Sequence, residues 1–166
     1  MRLYGALIRP VIGGVLLVVL YFVLPLDRSV DAGTAVVFAA GLAAVGLLVV
    51  VQTRQIVRSR YPRLRAIGAI AITIPMFLVL FATVYYLLAQ NYPRAFTEPL
   101  SRVDSLYFTV TVFSTVGFGD IAPKLEAARI VAMVQMIGDL ALLGLIGKVL
   151  IGAISLGLQR NQRPDA

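Results

Sequence analysis

The sequence has no cysteine and no histidine, and only 14% of its 166 residues are charged. These absences exclude disulfides, thiol nucleophiles, zinc sites of the Cys/His type and Ser/His or Cys/His catalytic pairs. Most hydrolytic chemistry is thereby excluded as well. Apolar side chains are abundant instead, because 60% of the residues are hydrophobic, more than the core of a soluble domain of this length could bury. We therefore expect the chain to lie in a lipid bilayer.

Four apolar segments are long enough to cross the hydrocarbon core of a membrane, which is about 30 Å thick. They comprise residues 5–26, 34–51, 66–89 and 126–158. As helices they would rise about 33, 27, 36 and 50 Å, so the last one must tilt or extend beyond the membrane. The first segment also resembles a signal peptide with a cleavage site near Ala32. Its apolar run is long for a signal peptide, and we interpret it as a retained span.

Basic residues predict the orientation of these spans. The net charge of +7 is concentrated at the ends of the apolar runs, which argues against nucleic acid as a partner. Arg2 precedes the first span, Arg9 lies near its beginning and Arg160 follows the last span, so both termini are predicted to be cytoplasmic in a multi-pass protein of the plasma membrane. The connection between the second and third spans is the most basic, and its arginines are predicted to contact anionic lipid. They are Arg54, Arg58, Arg60, Arg63 and Arg65.

The chain divides into units at this basic connection, where Pro62 is expected to interrupt any long helix. The units are an N-terminal transmembrane hairpin (1–51), a basic cytoplasmic linker (52–65), a functional half (66–158) and a short cytoplasmic tail (159–166). Ala40 and Ala44 are spaced as small residues are in close helix contacts, so they are expected to pack within the hairpin.

The segment between the last two spans is predicted to enter the membrane and return. Residues 106–118 are too apolar for an ordinary loop, and they are too short and too interrupted by glycine to cross. Asp104 is a good N-cap, and a helix over 104–115 would descend about 18 Å. An extended segment over 115–119 would climb back about 16 Å. Non-helical backbone at that depth must be shielded by protein or face water, which predicts a water or ion path.

Two glycines explain how such a segment could bind a cation. Gly117 and Gly119 can adopt positive φ, which would let the carbonyls of residues 115–118 face one side. The Thr115 hydroxyl would extend this column of oxygens at its inner end. One chain supplies one oxygen per layer, whereas a dehydrated alkali cation needs several, so the site implies a symmetric oligomer.

The sequence TVGFGD at residues 115–120 resembles the signature filter of tetrameric potassium channels. The resemblance implies an all-α homotetrameric membrane protein, with four transmembrane helices, a re-entrant pore helix and an extended selectivity filter in each subunit. Residues 66–89 would form the outer helix, 104–115 the pore helix and the chain from 126 the inner helix. The protein would then be a potassium-selective channel and not an enzyme, with K⁺ in the filter, no organic cofactor and no other metal. The ion-binding residues would be Thr115, Val116, Gly117, Phe118 and Gly119.

The resemblance extends to the outer mouth, and it has one departure, at Phe118. Asp120 would surround the outer mouth, and we predict that Tyr107 donates a hydrogen bond to it. Phe118 departs from the family pattern, in which tyrosine is commoner, so a hydrogen bond behind the filter is expected to be missing.

The last helix carries an intramembrane carboxylate, Asp139, close to the usual hinge glycine of the family. Two interpretations remain open: a cation or proton site in the cavity, or an interhelical hydrogen bond with the carboxyl protonated. Lys148 lies deep enough along the helix to reach the cytoplasmic interface. The candidates for the cavity or gate of the inner helix are Gly138, Asp139, Leu143, Gly147 and Lys148.

Two other functions compete with a potassium channel. The GFGD sequence fits the G-x-G-D pattern of intramembrane aspartyl proteases, but those enzymes need an aspartate on an earlier span, and the earlier acidic residues here fall in outer loops. A nonselective monovalent cation channel is the closer alternative, and the intact Thr-Val-Gly-Phe-Gly run argues against it. Nothing in the sequence indicates the stimulus that opens the pore.

Overall fold

The computed structural model of the chain describes residues 2–23, 32–57 and 62–161. Within these ranges the chain is helical and contains no strand, only an isolated bridge between Phe96 and Pro123. The all-α prediction is therefore confirmed. The five helices are α1 (Arg2–Val23), α2 (Ala32–Val57), α3 (Pro62–Asn91), α4 (Arg102–Phe113) and α5 (Glu126–Asn161).

Three helical stretches of the described chain are long and apolar enough to cross a membrane: Val36–Ile56, Arg65–Asn91 and Glu126–Lys148. Helix α1 adds a shorter apolar stretch, Ile8–Val23. Three predicted spans are thus confirmed by length and composition, and the first span stays a prediction. Residues 24–31, which include the rest of that span and most of the signal-peptide motif, lie outside the described residues.

The helices continue into the basic connection that the sequence predicted as a separate linker over 52–65. Helix α2 reaches Val57 and α3 begins at Pro62, so only residues 58–61 remain between them, outside the described residues. Helix α3 begins at Pro62, a position that needs no backbone N–H donor, so no described helix runs through this proline. The Arg65 guanidinium donates to the backbone carbonyl of Gln55 at 3.3 Å, which joins the two helix ends.

Helix α3 is the centre of the fold, and α1, α2, α4 and α5 all pack against it. The close contacts of the first two helices differ from the prediction. Ala40 and Ala44 are exposed, whereas Gly41 of α2 lies against Leu80 and Val45 is buried. In α1, a Cβ atom added to Gly14 would lie 2.6 Å from a backbone oxygen of α3. Glycine at that position therefore allows α1 to approach α3 closely.

An aromatic cluster fixes the short helix α4 on α3. Tyr85 of α3, Phe96 of the outer loop and Phe108 of α4 are buried. The rings of Tyr85 and Phe108 meet edge to face, with centroids 4.9 Å apart and planes at 73°. Phe96 contacts both rings in the same manner. Such pairs stabilise a core by about 0.5–1.5 kcal/mol beyond the burial of their area, so α4 is held in a defined place.

Candidate functional site

The first turn of α4 is a capping box. The Ser101 hydroxyl accepts from the backbone N–H of Asp104 at 3.2 Å, and the Asp104 carboxylate accepts from the backbone N–H of Ser101 at 2.9 Å. Hydrogen bonds from the side chain and backbone of Ser101 hold the pKa of Asp104 below its usual value. The sequence predicted Asp104 itself as the N-cap, which is wrong: Ser101 is the cap, and the helix begins and ends two residues earlier than predicted.

The last turn of α4 leads directly into the filter sequence. Thr115 has a φ of 59°, in the left-handed region, and its N–H donates to the carbonyl of Val112 at 3.0 Å. The N–H groups of Val116 and Gly117 donate to the carbonyl of Thr111 at 3.1 and 3.2 Å. This pattern is a Schellman motif, in which glycine usually occupies the position of Thr115. A β-branched residue there stores about 1–3 kcal/mol of strain, and the sequence prediction missed it.

The two glycines of the filter sequence adopt the predicted conformation. Gly117 has a φ of 52° and Gly119 a φ of 80°. Together with Thr115, every second residue over 115–119 therefore has a positive φ. In an ordinary strand, successive backbone carbonyls point to opposite sides. A positive φ at every second residue changes this alternation and lets the carbonyls face the same side. The backbone thus has the periodicity that a one-sided column of carbonyls requires.

The filter sequence lies on the surface of the subunit, where residues 114–120 are all exposed. Val116 is 54% exposed and Phe118 is 71% exposed. A Cβ atom added to Gly117 or Gly119 would meet no atom within 4 Å. Within one subunit, these glycines are therefore needed for their φ angles and not for space.

The predicted hydrogen bond at the end of the filter sequence is confirmed. The Tyr107 hydroxyl donates to Oδ2 of Asp120 at 2.8 Å. This bond lowers the pKa of Asp120 and raises the pKa of Tyr107. The Tyr107 ring also lies parallel to the Phe118 ring, at an angle of 4° with centroids 6.5 Å apart. One tyrosine of α4 thus contacts the residues on both sides of Gly119.

The loop between α3 and α4 supports the same segment through Thr97. Its hydroxyl donates to the carbonyl of Asp120 at 3.1 Å and accepts from the N–H of Ala122 at 3.0 Å. Its backbone N–H donates to the carbonyl of Ala122 at 2.9 Å. Sequence analysis missed Thr97 because a single threonine in a loop has no motif, and its partners are more than 20 residues away.

A buried polar network connects α3, α4 and α5. The Tyr85 hydroxyl donates to Oε1 of Gln135 at 2.8 Å, and Nε2 of Gln135 donates to the backbone carbonyl of Thr109 at 3.0 Å. The same Nε2 lies 3.4 Å from Oδ2 of Asp139. Gln135 is fully buried. Sequence analysis missed Gln135, although it lies one turn before Asp139 on the same helical face.

The structure corrects the cavity hypothesis for Asp139. Its side chain is 3% exposed, so it lines no aqueous surface of the subunit, and its Oδ1 atom has no hydrogen-bond partner among the described residues. The predicted interhelical hydrogen bond is not seen among the described residues either, because the carboxylate accepts from Gln135 of the same helix. Gly138 also faces the interior, because a Cβ atom there would lie 2.9 Å from the Phe77 ring of α3. Gly138 thus permits close packing and does not face a cavity.

The opposite face of α5 is apolar and exposed. We call it the α5 stripe; its residues recur every three or four positions, as one helical face does. They are Ile130, Met133, Ile137 and Leu140, between 49% and 70% exposed. Further along the helix Leu143 and Lys148 are also exposed, and Gly147 is half-buried. These three residues stay candidates for the inner part of the pore.

Comparison with known proteins places the chain in a family. A family model described as "Ion channel" matches residues 70–155, just over half of the chain. The chain belongs to this ion channel family. The match covers α4, the filter sequence and most of α3 and α5. The protein is therefore a membrane channel and not an enzyme, which removes the aspartyl protease alternative.

Three relatives of this channel are named as potassium channels. It is 29% identical over 83 residues to "Two pore potassium channel b" of Oryza sativa subsp. japonica, covering 50% of this chain and 22% of that protein. It is 26% identical over 99 residues to "Potassium voltage-gated channel protein Shal" of Drosophila melanogaster, covering 60% of this chain and 17% of that protein. It is 32% identical over 65 residues to "Potassium channel protein kcv" of Paramecium bursaria Chlorella virus 1, covering 36% of this chain and 69% of that protein.

The channel thus spans about a fifth of the length of the first two relatives. No solved structure matches the chain at a comparable level.

Proposed function

We propose that this channel is a homotetramer that conducts K⁺ selectively and passively through a filter formed by the backbone of residues 115–119. The observation that carries the proposal is the alternation of positive φ at Thr115, Gly117 and Gly119 on the surface of the subunit. The names of its relatives point to the same ion.

The filter would work by replacing the hydration shell of the ion. Around a symmetry axis, each layer of backbone carbonyls from several subunits supplies a ring of oxygens, as the TVGYG loops of potassium channels do. The hydroxyl of Thr115 would extend this column at its inner end. Ions in adjacent rings repel each other, which lets them leave. No organic cofactor is needed for this process.

Exposed apolar surface supports the oligomer. Val116 and Phe118 of the filter sequence and the whole α5 stripe are exposed in one subunit. Large contiguous apolar patches usually mark contact with another protein or with lipid. Closed cyclic assembly would place the filter sequences of all subunits around one axis, next to the α5 stripes.

Electrostatics at both ends of the filter favour cations. Helix α4 ends at Phe113, immediately before the filter sequence, so the negative end of its dipole points toward Thr115. At the other end, the hydroxyl of Tyr107 stabilises the charged form of Asp120. A ring of these carboxylates would raise the local cation concentration at the outer mouth.

The inner end of α5 is proposed to form the gate, with Leu143, Gly147 and Lys148 along it, within a pore unit over 66–158 followed by a tail over 159–166. Both termini would be cytoplasmic in the plasma membrane. The arginines of the basic connection would then bind anionic lipid at the inner surface. Arg54 and Arg65 are exposed as this requires, whereas the side chains of Arg58, Arg60 and Arg63 lie outside the described residues.

Flux from proteoliposomes tests the proposal directly. Purified protein is reconstituted into liposomes loaded with K⁺ or with Na⁺, and the flux down each gradient is compared with that of protein-free liposomes. We expect flux with K⁺ and little with Na⁺. Equal flux of both ions would favour the nonselective cation channel instead, and no flux of either would contradict the proposal.

A further inference from the structure

The end of α1 and the beginning of α4 hold each other through reciprocal hydrogen bonds. Nη1 of Arg102 donates to the backbone carbonyls of Tyr21 and Phe22 at 2.9 and 2.8 Å. In return, the Tyr21 hydroxyl donates to the backbone carbonyl of Arg102 at 2.8 Å. We call these three residues the α1–α4 clasp. It joins parts of the chain that are about 80 residues apart in sequence.

The clasp satisfies groups that a helix end leaves unpaired. The last carbonyls of α1 have no partner within the helix, and a cation at this end interacts favourably with the helix dipole. The Arg102 guanidinium also lies 5.3 Å from the centroid of the Tyr86 ring of α3, within the range of a cation–π contact. Tyr21 is 2% exposed, so its hydroxyl bond is shielded from water. These contacts are therefore more than a transient surface pair.

The clasp acts on the helix that carries the filter. Arg102 is the first residue of α4, and carbonyls of the last turn of α4 accept the hydrogen bonds that fix Thr115 and the two residues after it. The helix has 12 residues, so its two ends are about 18 Å apart along a rigid element. Helix α1 is itself fixed on α3 by the close contact at Gly14. Loss of the clasp would therefore release the first turn of α4 from this fixed helix, which would let α4 tilt and displace the filter sequence.

We propose that α1 belongs to the conducting machinery, and that Tyr21 and Arg102 are positioning residues that hold α4 in the orientation of a conducting filter. This inference rests on the proposed potassium conduction only because the experiment that tests it measures potassium current. The clasp touches no ion, so its loss should change how long the filter stays open and not which ion it selects.

Single-channel recording from reconstituted protein separates these effects. Arg102→Met removes the guanidinium but keeps an apolar stem, and Tyr21→Phe removes only the hydroxyl. We expect each variant to lower the open probability about threefold to tenfold, the range for loss of one hydrogen bond or a few. Unitary conductance and the potassium-to-sodium reversal potential should stay at the wild-type values. Arg102→Lys, which keeps a cationic donor for the same carbonyls, should restore part of the open probability.

A matched control and a double variant complete the test. Arg94→Met removes an equal charge from the exposed outer loop and should leave the open probability unchanged. Tyr21→Phe added to Arg102→Met should have a less than additive effect, because the loss of either set of bonds loosens the same contact between α1 and α4. Unchanged open probability in both single variants, additive effects in the double variant, or a shifted reversal potential would overturn the inference. A wild-type protein without potassium current would overturn the proposed function instead. The melting temperatures of the same variants would then test the clasp: non-additive changes would support it, and additive changes would overturn it.

Discussion

Helices α2 and α5 are both apolar enough to span a membrane, but they are held in the subunit in different ways. Only 6% of the α2 span is buried, against 22% of the α5 span. Helix α2 contacts α3 through Gly41, Val45 and two hydrogen bonds, from Thr73 to Gln52 at 2.9 Å and from Arg65 to Gln55 at 3.3 Å. Helix α5 contributes Gln135 to a buried network instead. Hydrophobicity therefore places a helix in the membrane, while buried polar contacts determine which helices position the filter.

The largest expected difference between these regions concerns glycine. Gly119→Ala would place a Cβ atom on a residue with a φ of 80°, at a cost of about 1–2 kcal/mol in every subunit. Gly46→Ala in α2 adds the same atom in open space inside a helix and should stabilise it by about 0.5–1 kcal/mol. We expect potassium flux to fall about tenfold or more in the first variant and to stay unchanged in the second. Equal flux from the two variants would contradict the role of the filter backbone.

The next comparison sets the buried network of Gln135 against the hydrogen bond between Thr73 and Gln52 that joins α3 to α2. Gln135→Leu leaves the Tyr85 hydroxyl buried without an acceptor, at a cost of about 1–3 kcal/mol. Gln52→Leu should cost less than about 1 kcal/mol, because the Thr73 hydroxyl can donate to a carbonyl of its own helix. Thermal unfolding in detergent would measure both changes. A larger loss of stability for Gln52→Leu would invert the comparison.

A smaller effect is expected at the outer mouth, where the Tyr107 hydroxyl lowers the pKa of Asp120 below its ordinary value of 3.8. Because the pKa is lowered, this hydrogen bond stabilises the folded channel fully at pH values above the ordinary pKa. That stabilisation is lost as the pH falls through the lowered pKa. Tyr107→Phe should therefore let Asp120 bind a proton at a higher pH, so that the current falls at a higher pH than in the wild type. The same variant should inactivate faster. Tyr92→Phe, an exposed tyrosine of the outer loop, is the control. Identical acid titrations of the current for both variants would disprove the effect.

The smallest effect is expected from Asp139→Asn. The side chain is buried and lines no aqueous surface, and an amide oxygen can still accept from Gln135. Unitary conductance and rectification should therefore match those of the wild type in single-channel recordings. A change in rectification would show that the carboxylate faces the ion path after all.

Local features of the filter could be predicted from the sequence. The positive φ of Gly117 and Gly119 follows from their spacing, and a short helix before them follows from the length and apolar character of the segment. Ser101 also carried a readable signal, since Ser101 and Asp104 have the spacing of a capping box.

Other features depend on tertiary contacts that no local pattern encodes. Threonine rarely adopts positive φ, and Thr115 does so because the end of α4 and the filter backbone share the carbonyl of Thr111. The periodicity of α5 puts Asp139 on one face with Gln135, but it does not tell which face packs inward. The contact of Tyr21 with Arg102 arises only when α1 and α4 meet on α3.

The proposed potassium conduction requires that several copies of residues 115–119 direct their backbone oxygens at one axis and bind dehydrated ions there. The decisive experiment is a density map of the protein in lipid nanodiscs with K⁺. We predict four subunits around one axis, with ion density between successive rings of carbonyl oxygens from residues 115–118. A single subunit, or carbonyl oxygens that point away from the shared axis, would refute the proposed filter.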